Sequence, residues 1–199
     1  MISRSTIQVF LASPMDLIDE RVAFREVIDD VNGAGRRVGV AFEIVSWETD
    51  VAPDAGDDAQ DVVNTQMAAD YDVFVCLFRD RIGTATGRSV SGTVEEYERA
   101  LLKRASGADT KIMAYFLATD DPSDEIVQLK RRMSSDGVLF GEAADREDLR
   151  AALYKDFNLL LIEAAKALSR RPAKAPLTVA RSSVVGLVDG RSRLLVVKR

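Results

Sequence analysis

The 199-residue sequence has no histidine, a single cysteine, Cys76, and a single tryptophan, Trp47. Without histidine there is no Ser-His-Asp triad, no Cys-His pair and no imidazole metal site. One thiol makes neither an internal disulfide nor a zinc cluster. Any chemistry therefore falls to carboxylates, hydroxyls, Lys and Arg, and backbone amides. No apolar run approaches the ~18 residues of a membrane span. Met1-Ile2-Ser3-Arg4 leads into a strand-like segment instead of a signal h-region. These absences predict a cytoplasmic protein with no membrane partner.

What is present suits one soluble domain with an appendage. Hydrophobic residues make up 47% of the chain, enough for a sizeable core. Charge is unevenly placed. Residues 170–199 hold eight Lys and Arg against one acid, Asp189, a net +7, which leaves residues 1–169 at -12. An acidic body argues against nucleic-acid binding by the core, whereas the basic tail could serve as an electrostatic arm, a linker or an edge contact.

Strand-like and helix-like segments alternate, which predicts an α/β fold with a mainly parallel sheet. Strands are expected at Thr6–Ala12, Val40–Trp47, Tyr71–Phe78 and Lys111–Leu117, with a weak one at Val138–Phe140. The near-continuous apolar run Val73–Phe78 reads as a central strand covered on both faces, with Cys76 a buried thiol. A first helix from Pro14 to Val31 carries Leu17, Val22, Phe24, Val27, Ile28 and Val31 at helical spacing, and Asn32-Gly33 is its expected stop. Further helices are expected at Ala59–Ala69, from Ser91 or Thr93 to Ala105, and at Ser123–Met133. A long one, Asp145–Arg170, has Leu149, Leu153, Phe157 and Leu161 on its stripe. Pro172 and Pro176 then mark a linker, and Val184–Val197 has two apolar runs around a turn signal. The predicted division is thus a domain at 1–170 and, at 171–199, a basic linker with a β-hairpin leading toward a partner region.

In a parallel sheet, ligands bind where loops leave the carboxyl ends of strands. Three such loops carry chemistry. In Ala12-Ser13-Pro14-Met15-Asp16, free amides at a helix start offer an anion site. The same residues also read as an N-cap at Ser13, Pro14 at the first helical position and a capping-box-like Asp16. In Ser46-Trp47-Glu48-Thr49-Asp50, Trp47 is either a stacking platform or core. The following Asp54, Asp57 and Asp58 lack the ligand alternation of an EF-hand, so a solvated loop is expected instead of a metal site. In the third, Arg79, Arg81 and Gly83 lead to Ser91-Gly92-Thr93-Val94-Glu95-Glu96. There Glu96 is turned from the stripe of Val94, Tyr97 and Leu101, and it completes a capping box with Thr93 or serves as a catalytic carboxylate.

Together, Val9–Asp16 with Glu20-Arg21, Trp47-Glu48-Thr49-Asp50, Asp70–Val75, Arg81-Ile82-Gly83-Thr84 and Ser91–Ala100 resemble the TIR-like (Toll/interleukin-1 receptor-like) domain of unknown function at the N-terminus of bacterial multidomain proteins. The resemblance spans about residues 6–118. The Ser-Gly-Thr-x-x-Glu segment is also similar to the Gly-Thr-x-x-Glu of nucleoside 2-deoxyribosyltransferases, whose Glu attacks the nucleoside C1′, and catalytic TIR domains use a helix-borne Glu on the nicotinamide bond of NAD. The resemblance implies a flavodoxin-like three-layer fold with about five strands and an N-glycosidic site centred on Glu96. It also implies use as a self-associating effector in anti-phage or NLR-like defence signalling. NAD would be substrate, not cofactor. Ser13, Pro14, Asp16, Trp47, Arg79, Arg81, Gly83, Ser91 and Thr93 are the candidate substrate contacts, with the arginines or the amides of Ser13 to Met15 on a diphosphate. A non-catalytic self-association module and a nucleoside deoxyribosyltransferase-like enzyme are the alternatives.

Overall fold

The computed structural model describes residues 5–45, 71–83 and 91–170. The chain divides into two units, Met1–Leu168 and Ser169–Arg199, and the sheet lies in the first. The predicted helix at 59–69, the acidic loop, Trp47 and the hairpin at 184–197 lie outside the described residues.

Five strands form one sheet: β1 (Ser5–Ala12), β2 (Val40–Val45), β3 (Val73–Phe78), β4 (Lys111–Leu117) and β5 (Phe140–Ala143). Their order is β2-β1-β3-β4-β5, and every neighbouring pair is parallel. This is the flavodoxin-like order, with its reversal point between β1 and β3. All six residues of β3 are buried, as expected of a central strand with a helical layer on each side. Cys76 is 0% exposed.

Helices α1 (Ile18–Val38), α2 (Gly92–Ala105), α3 (Asp124–Ser135) and α4 (Arg146–Arg170) supply those layers. Because strand side chains alternate, the sheet has two separate cores. Val9, Leu11, Val75 and Leu77 face α1 and α4, where Phe157 meets Phe24 and Phe42 edge-on at 5.8 and 5.2 Å. Phe10, Phe74, Cys76 and Phe78 face α2 and α3. Helix α4 docks through Leu149, Leu153, Phe157 and Leu161, a four-residue spacing that keeps one stripe against the sheet.

Three local expectations are corrected. Asn32-Gly33 does not stop α1, which runs on to a left-handed Gly39 at φ 76°. The Asn32 amide is occupied instead by the backbone of Phe42, donating to its carbonyl at 2.8 Å and accepting from its N–H at 2.7 Å. Along α1, Val22 is half exposed and the acid Glu20 takes its place among the buried positions. The last strand begins at Phe140, so Val138 and Leu139 precede it, and Leu139 is 93% exposed.

Candidate functional site

At the reversal point β1 leads into α1 on one face of the sheet and β3 leads toward α2 on the other, which opens a crevice between their loops. Gly83 is where these loops meet. Its φ of 103° lies in the region that favours glycine, and a Cβ there would stand 3.7 Å from Ser91 Cβ, 3.7 Å from Thr93 Oγ1 and 3.8 Å from Pro14 Cβ. The fold therefore brings four of the sequence-predicted residues into contact. Ser13 adjoins them, its Oγ shut off from solvent and without a hydrogen-bond partner. An unsatisfied buried hydroxyl is uncommon and marks the place for attention.

Ser13 is not the N-cap of α1. That position is Leu17, which offers no side-chain acceptor, and Pro14 and Asp16 sit in the turn before it. Asp16 binds Arg81 instead, through Nη2 at 3.2 Å and Nε at 3.3 Å. Arg79 pairs with Glu20, which is only 4% exposed. Both arginines expected on a diphosphate are thus engaged by carboxylates of the β1–α1 segment, and they tie it to the end of β3. Glu20 stands in the motif that carries the resemblance, but the sequence reading gave it no role. The signal for it is an acid at the helical spacing of Leu17, Phe24, Val27 and Val31, a place otherwise reserved for apolar side chains.

Helix α2 is capped by Ser91, whose Oγ accepts from the Val94 N–H at 3.0 Å. Thr93 is therefore already inside the helix, and the expected Thr93–Glu96 capping box does not form. Glu95 is buried and paired with Arg99 at 2.9 Å. Glu96 is half-buried, not turned outward, and its charge reaches Cys76 of β3 and Tyr71 just before that strand. Burial first, and Glu96 second, push the Cys76 thiol well above its ordinary value. The same two causes, opposed by Arg99, push Tyr71 from 10.0 up to about 12. Cys76 stands beside Ala12 in the sheet register. Tyr71, just before β3, is stacked on Phe10 at 5.5 Å and covered by Lys103 at 3.9 Å.

Trp47 lies outside the described residues. Among the described residues no three His, Cys, Asp or Glu side chains gather as a metal site, and no helix is long and apolar enough to cross a membrane.

Residues 8–168 match a family model described as Domain of unknown function (DUF4062). The chain belongs to this family. No curated protein matches the sequence. Among solved structures, the DUF4062 chain is similar to an FMN-dependent NADH-azoreductase from Bacillus anthracis str. Ames Ancestor in complex with FMN, at 12% identity and a TM-score of 0.37, over 82% of this chain and 99% of that one. It is similar also to an azoreductase from Bacillus anthracis str. Sterne, at 10% identity and a TM-score of 0.32, over 81% and 98% of the two chains.

Proposed function

We propose that this DUF4062 domain cleaves the N-glycosidic bond of NAD or a related nucleotide, with Glu96 as the catalytic carboxylate, as an effector in bacterial anti-phage or NLR-like defence signalling. The observation that carries the reading is the cap of α2. Because Ser91 caps the helix, Glu96 has no capping duty, and it is half-buried in the second turn of the helix that starts beside the crevice. Breaking the bond leaves positive charge on the ribose, which a fixed carboxylate stabilises most as the bond opens. Nicotinamide leaves without a protein acid, and water completes the ribose carbon. A chain without histidine can perform this chemistry, and NAD is its substrate, not a resident cofactor. The unpartnered Ser13 hydroxyl and the start of α1, which lacks a side-chain cap, support substrate contact on the other wall.

One observation favours a second reading, a self-association module that signals by assembly: Arg79 and Arg81 are both taken by carboxylates. The test incubates concentrated protein with NAD, and separately with a deoxynucleoside plus free base, for the wild type, Glu96→Gln and Glu95→Gln. The expected result is NAD turnover that falls by orders of magnitude in Glu96→Gln while folding survives, with Glu95→Gln retaining it. Full turnover in Glu96→Gln ends the catalytic assignment. Base exchange points to the transferase chemistry, and assembly without turnover to the second reading.

A further inference from the structure

The sheet has a second place where neighbouring loops part. Strand β4 leads into α3 on one face, and β5 leads into α4 on the other. Diverging loops open a crevice there for the same reason as at the reversal point. The crevice is a cavity of about 400 Å³, within the usual range of small-molecule sites. Small side chains hold it open, with Ala118 at the end of β4 and Ala143 and Ala144 at the end of β5. Its floor is apolar, formed in part by Phe116 and Ile126.

The rim carries two cations, each paired with a carboxylate. Arg79, bound to the buried Glu20, reaches the cavity from just after β3 and Lys130 from α3, their side chains 35% and 31% exposed. The Lys130 ammonium lies 4.9 Å from the centre of the Phe116 ring and donates to Glu142 at 2.7 Å. The Glu142 side chain is 66% exposed, and so solvated a pair is weak enough for a ligand carboxylate to replace it. Glu20 takes one Nη of Arg79 and leaves its other guanidinium donors, and Glu142 is exchangeable, so an apolar floor lies beneath two groups that can still donate to an anion. We infer that this crevice binds a small organic anion with a flat apolar body, the anion between Arg79 and Lys130 and the body toward Phe116. The inference does not depend on Glu96 or on the reaction proposed for it.

The test titrates the 199-residue protein with naphthoate, with naphthamide as its uncharged counterpart, by calorimetry and amide NMR. Saturable naphthoate binding is expected, with shifts at Thr119 and Ala144, and naphthamide should bind on the order of tenfold more weakly, as suits loss of one charged hydrogen bond. Lys130→Met should cost naphthoate a similar factor and leave naphthamide unchanged. Ala118 and Ala144 are exposed at the mouth, so leucine at either closes the cavity without touching the core, and either variant should abolish binding of both probes. Absence of saturable naphthoate binding overturns the inference. So does binding that persists in a natively folded Ala118→Leu or Ala144→Leu protein.

Discussion

Gly35 sits inside α1, where glycine costs roughly 0.5–1 kcal/mol relative to alanine, yet alanine has no room there. A Cβ would stand 2.4 Å from the Val40 carbonyl oxygen, a backbone atom that cannot step aside. Gly35→Ala is expected to lose about 3 kcal/mol in urea unfolding, against the gain that an ordinary helical position would give; a stabilised variant would contradict the close approach of α1 to β2. Buried protons make a second residue-scale prediction. Cys76, Tyr71, Tyr97 and Tyr115 all have raised values, burial being the largest cause in each. The unfolded chain releases these protons first, the thiol from near 9.0 and Tyr71 from near 10.0, while folded Tyr71 holds its proton to about 12. Their stabilisation is therefore complete below pH 9 and lost as pH rises toward 12. The urea midpoint should fall steadily between pH 9 and 11, and a flat profile would refute the assignment. Thiol labelling of the native protein should likewise be slow at Cys76. The burial of Cys76 was legible because a run of apolar residues admits no exposed face. The partners of Arg79 and Arg81 were not, since Glu20 and Asp16 are 59 and 65 positions away and only the parallel pairing of β1 with β3 brings them near.

At the level of elements, the ambiguity in Ser91-Gly92-Thr93 shows why helix ends resist sequence reading. Both hydroxyls are good caps, two residues apart, and each defines a different role for the acids that follow. Extended backbone at Ser91, φ -162° and ψ 157°, decides between them, because it aims Oγ at the Val94 amide. Ser91→Ala should cost about 1 kcal/mol, and Thr93→Val, which keeps the shape and removes the hydroxyl, less than half as much. The reverse ranking in thermal unfolding would restore the capping box and with it a structural duty for Glu96. The overrun of α1 past Asn32-Gly33 has the same origin. A stop signal acts only when its side chain is free for the local backbone, and Asn32 is claimed by Phe42 in the next strand. At β5 the weak apolar run Val138-Leu139-Phe140 misled because Val138 is buried beside α3 and not in the ladder, while the ladder continues into Gly141 and Glu142. Gly141 fits there because the Tyr115 ring lies 2.9 Å from where its Cβ would be.

For the unit Met1–Leu168 as a whole, alternation of strand and helix was legible and the layer each helix joins was not, since either face would bury the same apolar stripe. That choice creates both crevices. Helices α1 and α4 on one face and α2 and α3 on the other make neighbouring loops part after β1 and β3, and again after β4 and β5. It also makes α4 indispensable. Fully burying one large apolar side chain is worth about 1.5–3 kcal/mol, so Leu149, Leu153, Phe157 and Leu161 together contribute about 6–12 kcal/mol, which is comparable to the roughly 5–15 kcal/mol stability of a typical domain. A chain ending at Arg170 keeps every member of both core clusters. It is expected to unfold in one cooperative transition, with dispersed amide NMR signals. A chain ending at Ala144 retains all five strands but loses α4, uncovering Leu11, Val75 and Leu77 on the face it shares with α1, and should be molten or insoluble. Near-ultraviolet circular dichroism and a urea titration of the two chains decide the matter. A molten chain ending at Arg170 would require contributions to the core from residues 171–199, and a native-like chain ending at Ala144 would show that α1 alone seals that face.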